Sequence, residues 1–461
     1  MPLPESYVPY ADGVETPKSF KICKDAIGVI PAASSSHGHN FPVFDPYPLA
    51  LRSGNGSKVT DVDNHSYIDY VLGFGPLILG HNNEAISRAV QEQLKLGVTF
   101  AAISEAEVEL AKKVLAFAKK PKEMIVFSNT GAEATQYAMR FARAYTGKDK
   151  IIKFEGGYHG SYDYANLSNS GSPVASLGPY ENPYVFRSSW GIPQSILETM
   201  ITLPNNDQEV VEKAIKRRSN EIAAVIIEPV MMNYGAVPPD EGYLEFLRDI
   251  TREHDILLIF DEVKTGFRLA PGGAQEFYGL LNDKAADITA YAKALGGGFP
   301  ISAIVGKREV MELVVPGKVH HAGTYTGNPI SLAASKATLD QLSANDFQAY
   351  RTLKRIGTRL QDGLAEEARR SKADAFVQGV GHGGFALYFT KGRMSKIGSY
   401  REYAQNIDTS TYNRFHKLLL RKGVYFHPQQ YEQVFVSCAH TDDDVDLTLQ
   451  AAKESFKELA A

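Results

Sequence analysis

Cysteine is scarce in this chain: only Cys23 and Cys438 occur in 461 residues. Two thiols can build neither a disulfide framework nor a four-thiolate zinc site, and a reducing, cytoplasmic setting is the expectation. Long apolar runs are missing too; the longest are strand-sized, far short of a bilayer span. The opening segment, MPLPESYVPYADGVETPKSF, has no basic stretch followed by an apolar one, so no secretory leader is expected. Charge of one sign is also lacking, since 49 Lys and Arg against 53 Asp and Glu give a formal net charge of −4. So balanced a surface gives no reason to expect nucleic acid or an anionic membrane as partner. Neither G-x-x-x-x-G-K-[ST] nor a G-x-G-x-x-G opening a helix after a strand is present, which argues against nucleotide phosphates as ligands. The remaining composition, 44% hydrophobic and 22% charged, is that of a folded protein rather than a disordered one.

A chain this long predicts two or three packed parts rather than one core. Residues 1–83 read as a meandering arm (PAASSSHGHNFPVFDPYP) followed by a turn-rich strand pattern, SGNGSKVTDVDNHSYIDYV. From 84 to 330 short apolar runs alternate with helical patterns. The runs are EMIVF (123–127), KIIKF (150–154), AAVIIE (223–228), ILLIFDE (256–262) and DITAYAK (287–293). Such alternation predicts an α/β unit, a mostly parallel sheet of about seven strands with helices on both faces. From 331 to 461 the pattern restarts as a smaller α+β C-terminal domain. The glycines of GVGHGG (379–384) read as a turn between strands, and the acidic run Asp442–Asp444 as a solvated helix cap.

In an open α/β sheet, ligands gather beyond the carboxyl ends of the strands. Reactive residue types stand there repeatedly: Glu228 after AAVII, Asp261 after ILLIF, Lys293 after DITAYA. SNTGAEA, after EMIVF, would present backbone N–H groups from Ser128 to Ala132 at a helix start, where the dipole favours an anion; a plain helix cap is the bland alternative. Asp261 could hold a pyridinium N–H by a charge-assisted bond, or could cap a helix or pair with Arg268. Lys293 ends an apolar strand, and desolvation there would lower its pKa and leave an amine able to form a Schiff base. Gly296, Gly297 and Gly298 then let the backbone pass close to a flat ligand. His37-Gly38-His39 has metal-like spacing but no Cys, Asp or Glu nearby, so no metal is expected.

Taken in order, SNTGAEAT, KFEGGYHGSYD, IEPVMMNYG, FDEVKTGFR, AKALGGGFP and HAGTYTGNP resemble the motif series of class-III pyridoxal-5′-phosphate (PLP) aminotransferases. VDNHSYIDYVLGFGPLILGHNN and VSCAHTDDDVDLTLQAA are similar to the glutamate-1-semialdehyde 2,1-aminomutase branch. The resemblance implies PLP fold type I, PLP as cofactor, small-molecule amine and keto-acid substrates, and a homodimer with shared active sites. It implies that Lys293 carries PLP and moves the substrate proton, while Asp261 keeps the pyridine nitrogen protonated. Tyr158 would lie on one face of the ring and Val263 on the other. Thr130, Gly131 and Ala132 would cup the phosphate, with Thr324 of the partner subunit reaching the same group. Glu228 and Asn233 would line the ring's oxygen side.

Departures from that series bear on the substrate. Ala132 stands where the family has a hydroxyl residue. The N-terminal arm reads IPAASSSHGHNFP with no arginine, and the C-terminal turn reads FHPQQYEQ, again without one. A bidentate guanidinium is not replaced by His or Gln without loss of carboxylate affinity. The expectation is therefore amino-group transfer from an amine or amino compound to a keto acid. The alternatives are an aminomutase-type intramolecular transfer and a β-amino-acid aminotransferase. His37, His39, Phe74 and Gln429 are the expected substrate-side walls, and Lys264, Arg52 or an arginine of the partner subunit the candidate cations for an acceptor carboxylate. A nicotinamide dehydrogenase and a non-catalytic binding protein are the competing classes; visible absorption from bound PLP separates both from an aminotransferase.

Overall fold

The computed structural model describes residues 3–39, 43–120 and 122–460. Thirteen strands occur among them: β1 (Leu51–Asn55), β2 (Lys58–Asp61), β3 (Ser66–Asp69), β4 (Met124–Ser128), β5 (Lys150–Phe154), β6 (Met200–Leu203) and β7 (Ile222–Ile227), then β8 (Leu257–Glu262), β9 (Ile288–Tyr291), β10 (Ser302–Gly306), β11 (Ala375–Val380), β12 (Gly384–Phe389) and β13 (Val424–Tyr425). Seven of them form one sheet in the order β4-β10-β9-β8-β7-β5-β6. All its pairings are parallel except those of β10, which runs antiparallel to both β4 and β9. The expected α/β class, fold type I with a mostly parallel seven-stranded sheet, is what the chain forms.

The central strands β7, β8 and β9 are buried at every position. This is why they read as unbroken apolar runs: helices cover both faces, so no alternation survives. Met139, Ile226, Ile259 and Ile304 share one core cluster, and Val225, Leu258 and Phe260 share another. Strand direction then sends the ends of β4, β7, β8 and β9 to one edge of the sheet.

A second sheet has the order β1-β2-β3-β13. Its first three strands form the antiparallel meander predicted from SGNGSKVTDVDNHSYIDYV, while β13 joins in parallel from the far end of the chain. Residues 51–69 and 424–425 thereby belong to one structural layer. The helix Pro329–Ser371 is interrupted at Ala344–Phe347, where Asn345, Asp346 and Phe347 all have positive φ. GVGHGG does lie between paired strands, β11 and β12.

The acidic run does cap the helix that follows, but one of its members is not solvated. Asp444 is buried and accepts from the Ser57 hydroxyl (2.9 Å), the Thr441 hydroxyl (3.0 Å) and the Thr441 N–H (3.0 Å). Asp442 and Asp443 stay exposed, and Asp442 pairs with Arg355 and Arg359. A carboxylate three residues past Thr441 completes reciprocal helix capping, and that geometry draws Asp444 inward.

Candidate active site

The strand ends open on a cavity of about 1560 Å³. Lys293, Asp261, Glu228 and Asn233 line it, as do Thr130, Gly131, Ala132, Tyr158 and Val263. His37, Phe74 and Gln429 line its other side. Residues from five strand–loop junctions and two chain ends thus reach one space.

Lys293 stands two residues past the end of β9 and adopts φ +46°. A left-handed conformation at a non-glycine residue costs about 1–3 kcal/mol and persists only where its surroundings impose it. Its ammonium donates to the Phe74 carbonyl at 3.0 Å. Burial is the main cause of a pKa lowered from 10.5 to about 8, and the nearby Lys264 ammonium adds to it. An amine of this kind is available as a nucleophile and base near neutral pH.

Asp261, near the end of β8, is 5% exposed. One carboxylate oxygen accepts the Val263 N–H at 3.0 Å, and the other meets His159 Nδ1 at 2.7 Å. The alternative partner, Arg268, is elsewhere. It is fully buried and donates to the carbonyls of Gly75 (2.7 Å), Val436 (3.0 Å) and His382 (3.5 Å). Burial lowers its pKa to about 10, and its work is to tie the Phe74–Gly75 turn to the C-terminal segment.

His159 is a residue that sequence reasoning missed. Its ring is buried, and Nε2 has no partner among the described residues. Asp261 accepts from Nδ1, so Nε2 is the ring atom that meets no protein group among the described residues. The available signal was the adjacency of a histidine to Tyr158 in GGYHG.

Glu228, past the end of β7, accepts from the Tyr158 N–H (3.0 Å), the Met232 N–H (3.0 Å) and the Asn233 amide (2.8 Å). Burial raises its pKa. One carboxylate thus fixes the Tyr158 loop and the 232–233 turn together. The same loop is held from beneath by Lys153, fully buried on β5, which donates to the Gly157 carbonyl (3.0 Å), the Asn169 side chain (2.9 Å) and the Leu167 carbonyl.

The helix Gly131–Thr146 starts at this edge behind a capping box of Thr130 and Glu133. Glu133 takes the N–H groups of Asn129 (2.6 Å) and Thr130 (3.2 Å). The five-residue run of free donors expected from Ser128 to Ala132 therefore narrows to Gly131 and Ala132, whose N–H groups have no acceptor among the described residues. Gly131 cannot be larger, since a Cβ there would stand 2.9 Å from the Val263 methyls.

On the substrate side His39 lies outside the cavity lining and stacks on Phe74 with ring centres 5.1 Å apart. Burial lowers its pKa, so it is an aromatic support for Phe74 rather than a cation. Gln429 is engaged with the Val43 carbonyl at 3.1 Å. Arg52 is exposed on β1 and does not line the cavity. Lys264 does line it, yet its ammonium already contacts Met232 O (2.7 Å), Gln433 Oε1 (2.9 Å) and Glu432 Oε2 (3.2 Å). Among the described residues the lining contains three lysines and no arginine. Thr324 is exposed and outside its own chain's cavity.

A half-buried amine, a buried carboxylate and two free helix-start N–H groups around one cavity suit an aldehyde-bearing, ring-nitrogen-bearing phosphate. Residues 43–453 match the family profile described as Aminotransferase class-III. The chain belongs to that family. Its cofactor is PLP, and the donor set just described fits that group. Curated relatives include glutamate-1-semialdehyde 2,1-aminomutases of Methanocaldococcus jannaschii, 45% identical over 92% of this chain and 95% of that protein, and of Methanosphaera stadtmanae, 43% identical over 96% and 99%. Among solved structures, an omega-transaminase from Sphaerobacter thermophilus superposes with a TM-score of 0.88 at 30% identity, covering 96% of this chain and 98% of that one. A beta-phenylalanine aminotransferase from Variovorax paradoxus follows at 0.82 and 26%, covering 95% and 93%. Among the described residues no helix is long and apolar enough to cross a membrane.

Proposed function

We propose that this class-III enzyme moves an amino group within one small molecule, in the manner of glutamate-1-semialdehyde 2,1-aminomutase. The observation that carries the reading is the similarity of 40–45% over 89–96% of the chain to proteins of that name. This favours intramolecular transfer over the transamination between separate partners expected from the motifs. Transamination stays as the second reading because one observation favours it, the arginine-free lining of the cavity. Carboxylate-bearing substrates need a cation, and an amine donor does not. A β-amino-acid aminotransferase shares the aminomutase's need for a carboxylate partner.

When bound, PLP supplies an electron sink that acidifies the hydrogen on the amine-bearing carbon. The residues divide the remaining work. Lys293 binds the cofactor and moves the substrate proton through Nζ. Asp261 holds a proton on the ring nitrogen, and His159 holds Asp261 in orientation. Tyr158 and Val263 would hold the cofactor ring between them, with Glu228 and Asn233 as its further polar neighbours. The Gly131 and Ala132 N–H groups, with Thr130, take the phosphate. Thr324 of the partner subunit completes that contact in a homodimer. Supporting a dimer, Leu96, Val98, Phe100 and Ile103 are exposed, and Asn328 ties Val98 to the Thr324 loop through a 2.9 Å bond. The division into 1–83, 84–330 and 331–461 belongs to the same proposal, with β13 returning to the first part.

The test is product analysis of the PLP-loaded enzyme given glutamate-1-semialdehyde alone. Conversion to the isomer with its amino group on the terminal carbon supports the leading reading. No isomer, together with turnover of an amine and a keto acid supplied as a pair, would replace it with the second.

A further inference from the structure

We propose that Lys264 is the carboxylate-binding residue of the substrate site, and that Glu432 is a resident carboxylate which the substrate's carboxylate displaces. The proposal rests on the amino-transfer reading of the cavity and adds to it the group that recognises a substrate anion.

The Lys264 ammonium has two neutral, fixed contacts and one ionic one. Met232 O stands at 2.7 Å and Gln433 Oε1 at 2.9 Å. Gln433 is itself immobilised, its amide donating to Met232 O (2.7 Å), Gly235 O (2.7 Å) and Tyr431 O (3.0 Å). The third contact, Glu432 Oε2, is the longest at 3.2 Å. No other donor among the described residues reaches the Glu432 carboxylate, and both Glu432 and Lys264 line the cavity.

This is a pre-positioned cation whose last valence is filled by a carboxylate held at one point. An incoming carboxylate offers Lys264 the same chemistry, so exchange swaps one ion pair for another and strands no buried ammonium. The other cavity-lining cations are less suited. Lys293 carries the cofactor in the proposed function, and Lys391 donates to the Gln405 carbonyl at 3.1 Å on an exposed side chain. Displacing Glu432 costs part of the affinity, so carboxylates should bind here more weakly than at an arginine clamp.

The experiment is calorimetric binding of butyrate, with butyramide as its uncharged counterpart, to the PLP-loaded wild type and to Glu432→Gln, Lys264→Met and the double variant. Glu432→Gln removes the resident competitor, and butyrate should bind about 10-fold more tightly. Lys264→Met and the double variant should lose butyrate affinity by about 10-fold or more, with butyramide affected much less. Unchanged butyrate affinity in both Glu432→Gln and the double variant would overturn the proposal. So would equal losses for butyrate and butyramide, the mark of a structural strut. Should Lys264→Met fail to fold, the sign of the Glu432→Gln effect still decides. Failure of the enzymatic reading is separable: a wild type without amino-transfer activity can still bind butyrate in this pattern.

Discussion

The two sides of the cavity are built differently. On the cofactor side every polar group stands at a strand end or helix start and is held by neighbours: Asp261 by His159 and the Val263 N–H, Glu228 by three donors, the 131–146 helix by its capping box. On the substrate side the walls come from the N-terminal arm, the Phe74 turn and residues 429–433, where His39 is held by ring stacking and Gln429 and Glu432 each by one side-chain contact, Gln433 alone being tied at several points. Rigid elements can hold a group to the tolerance that bond-making needs, whereas loops can be re-equipped without disturbing the sheet. On the proposed reading, one side carries the chemistry the family shares and the other sets what this chain accepts.

If that division is right, damage on the cofactor side should be the most severe. Lys293→Ala should lower turnover by about 10⁴-fold or more, since nucleophile and proton carrier are lost together. Circular dichroism of the cofactor-free protein should change little, and turnover near the wild-type rate would break the comparison at its strongest point.

Asp261→Asn should cost about 10²-fold or more in kcat, because a neutral amide cannot hold a proton on the ring nitrogen. Steady-state kinetics of the PLP-loaded variant would show it. Loss of stability with kcat retained would reduce Asp261 to a structural partner of His159.

The lowered pKa of Lys293 gives a measurement without turnover. Between about 8 and 10.5 the unfolded chain binds a proton on this lysine that the folded chain does not, so the stability of the cofactor-free protein should rise with pH across that window. Below about pH 8 both states are protonated and the penalty is constant. The Lys293 share of the increment is about 1–3 kcal/mol, and Lys293→Ala should remove it in denaturant titrations at pH 8 and 10. Lys153, lowered to about 7 by burial, contributes in the same direction and persists in the variant.

Changes on the substrate side should be smaller. Under the transamination reading an amine should be preferred over its α-carboxylated analogue by about 10-fold in kcat/KM, the expected cost of lacking an arginine clamp. The opposite preference would show a carboxylate partner of comparable strength on these walls.

The mildest effect is expected from His39→Ala, which removes the ring stacked on Phe74. The stack is worth about 0.5–1.5 kcal/mol, so KM should rise by about 3- to 10-fold with kcat nearly unchanged. A collapse of kcat would instead place His39 among the groups that act on the reacting atoms.

The same division governs what could be read without coordinates. Glu228, Asp261 and Lys293 were legible because each ends an apolar run in a parallel α/β pattern, and strand polarity alone carries such ends to one edge. Gly131 was legible as part of a helix start, but the number of free N–H groups there was not. Glu133 turns back onto Asn129 and Thr130, a capping choice that depends on side-chain geometry.

His159, Lys264 and Asp444 were misjudged or missed for a related reason. Each gets its character from a partner distant in sequence: Asp261 for His159, Glu432 and Gln433 for Lys264, Ser57 for Asp444.

Local pattern thus determined the fold class, five of the seven runs of the large sheet and the polar residues at their strand ends, because periodicity and polarity act along the chain. The tertiary structure alone decided which charges are already paired, which histidine is a wall and which a positioning group, and that the cavity's cations are lysines without an arginine among them. Those properties arise from contacts between segments that sequence spacing does not encode.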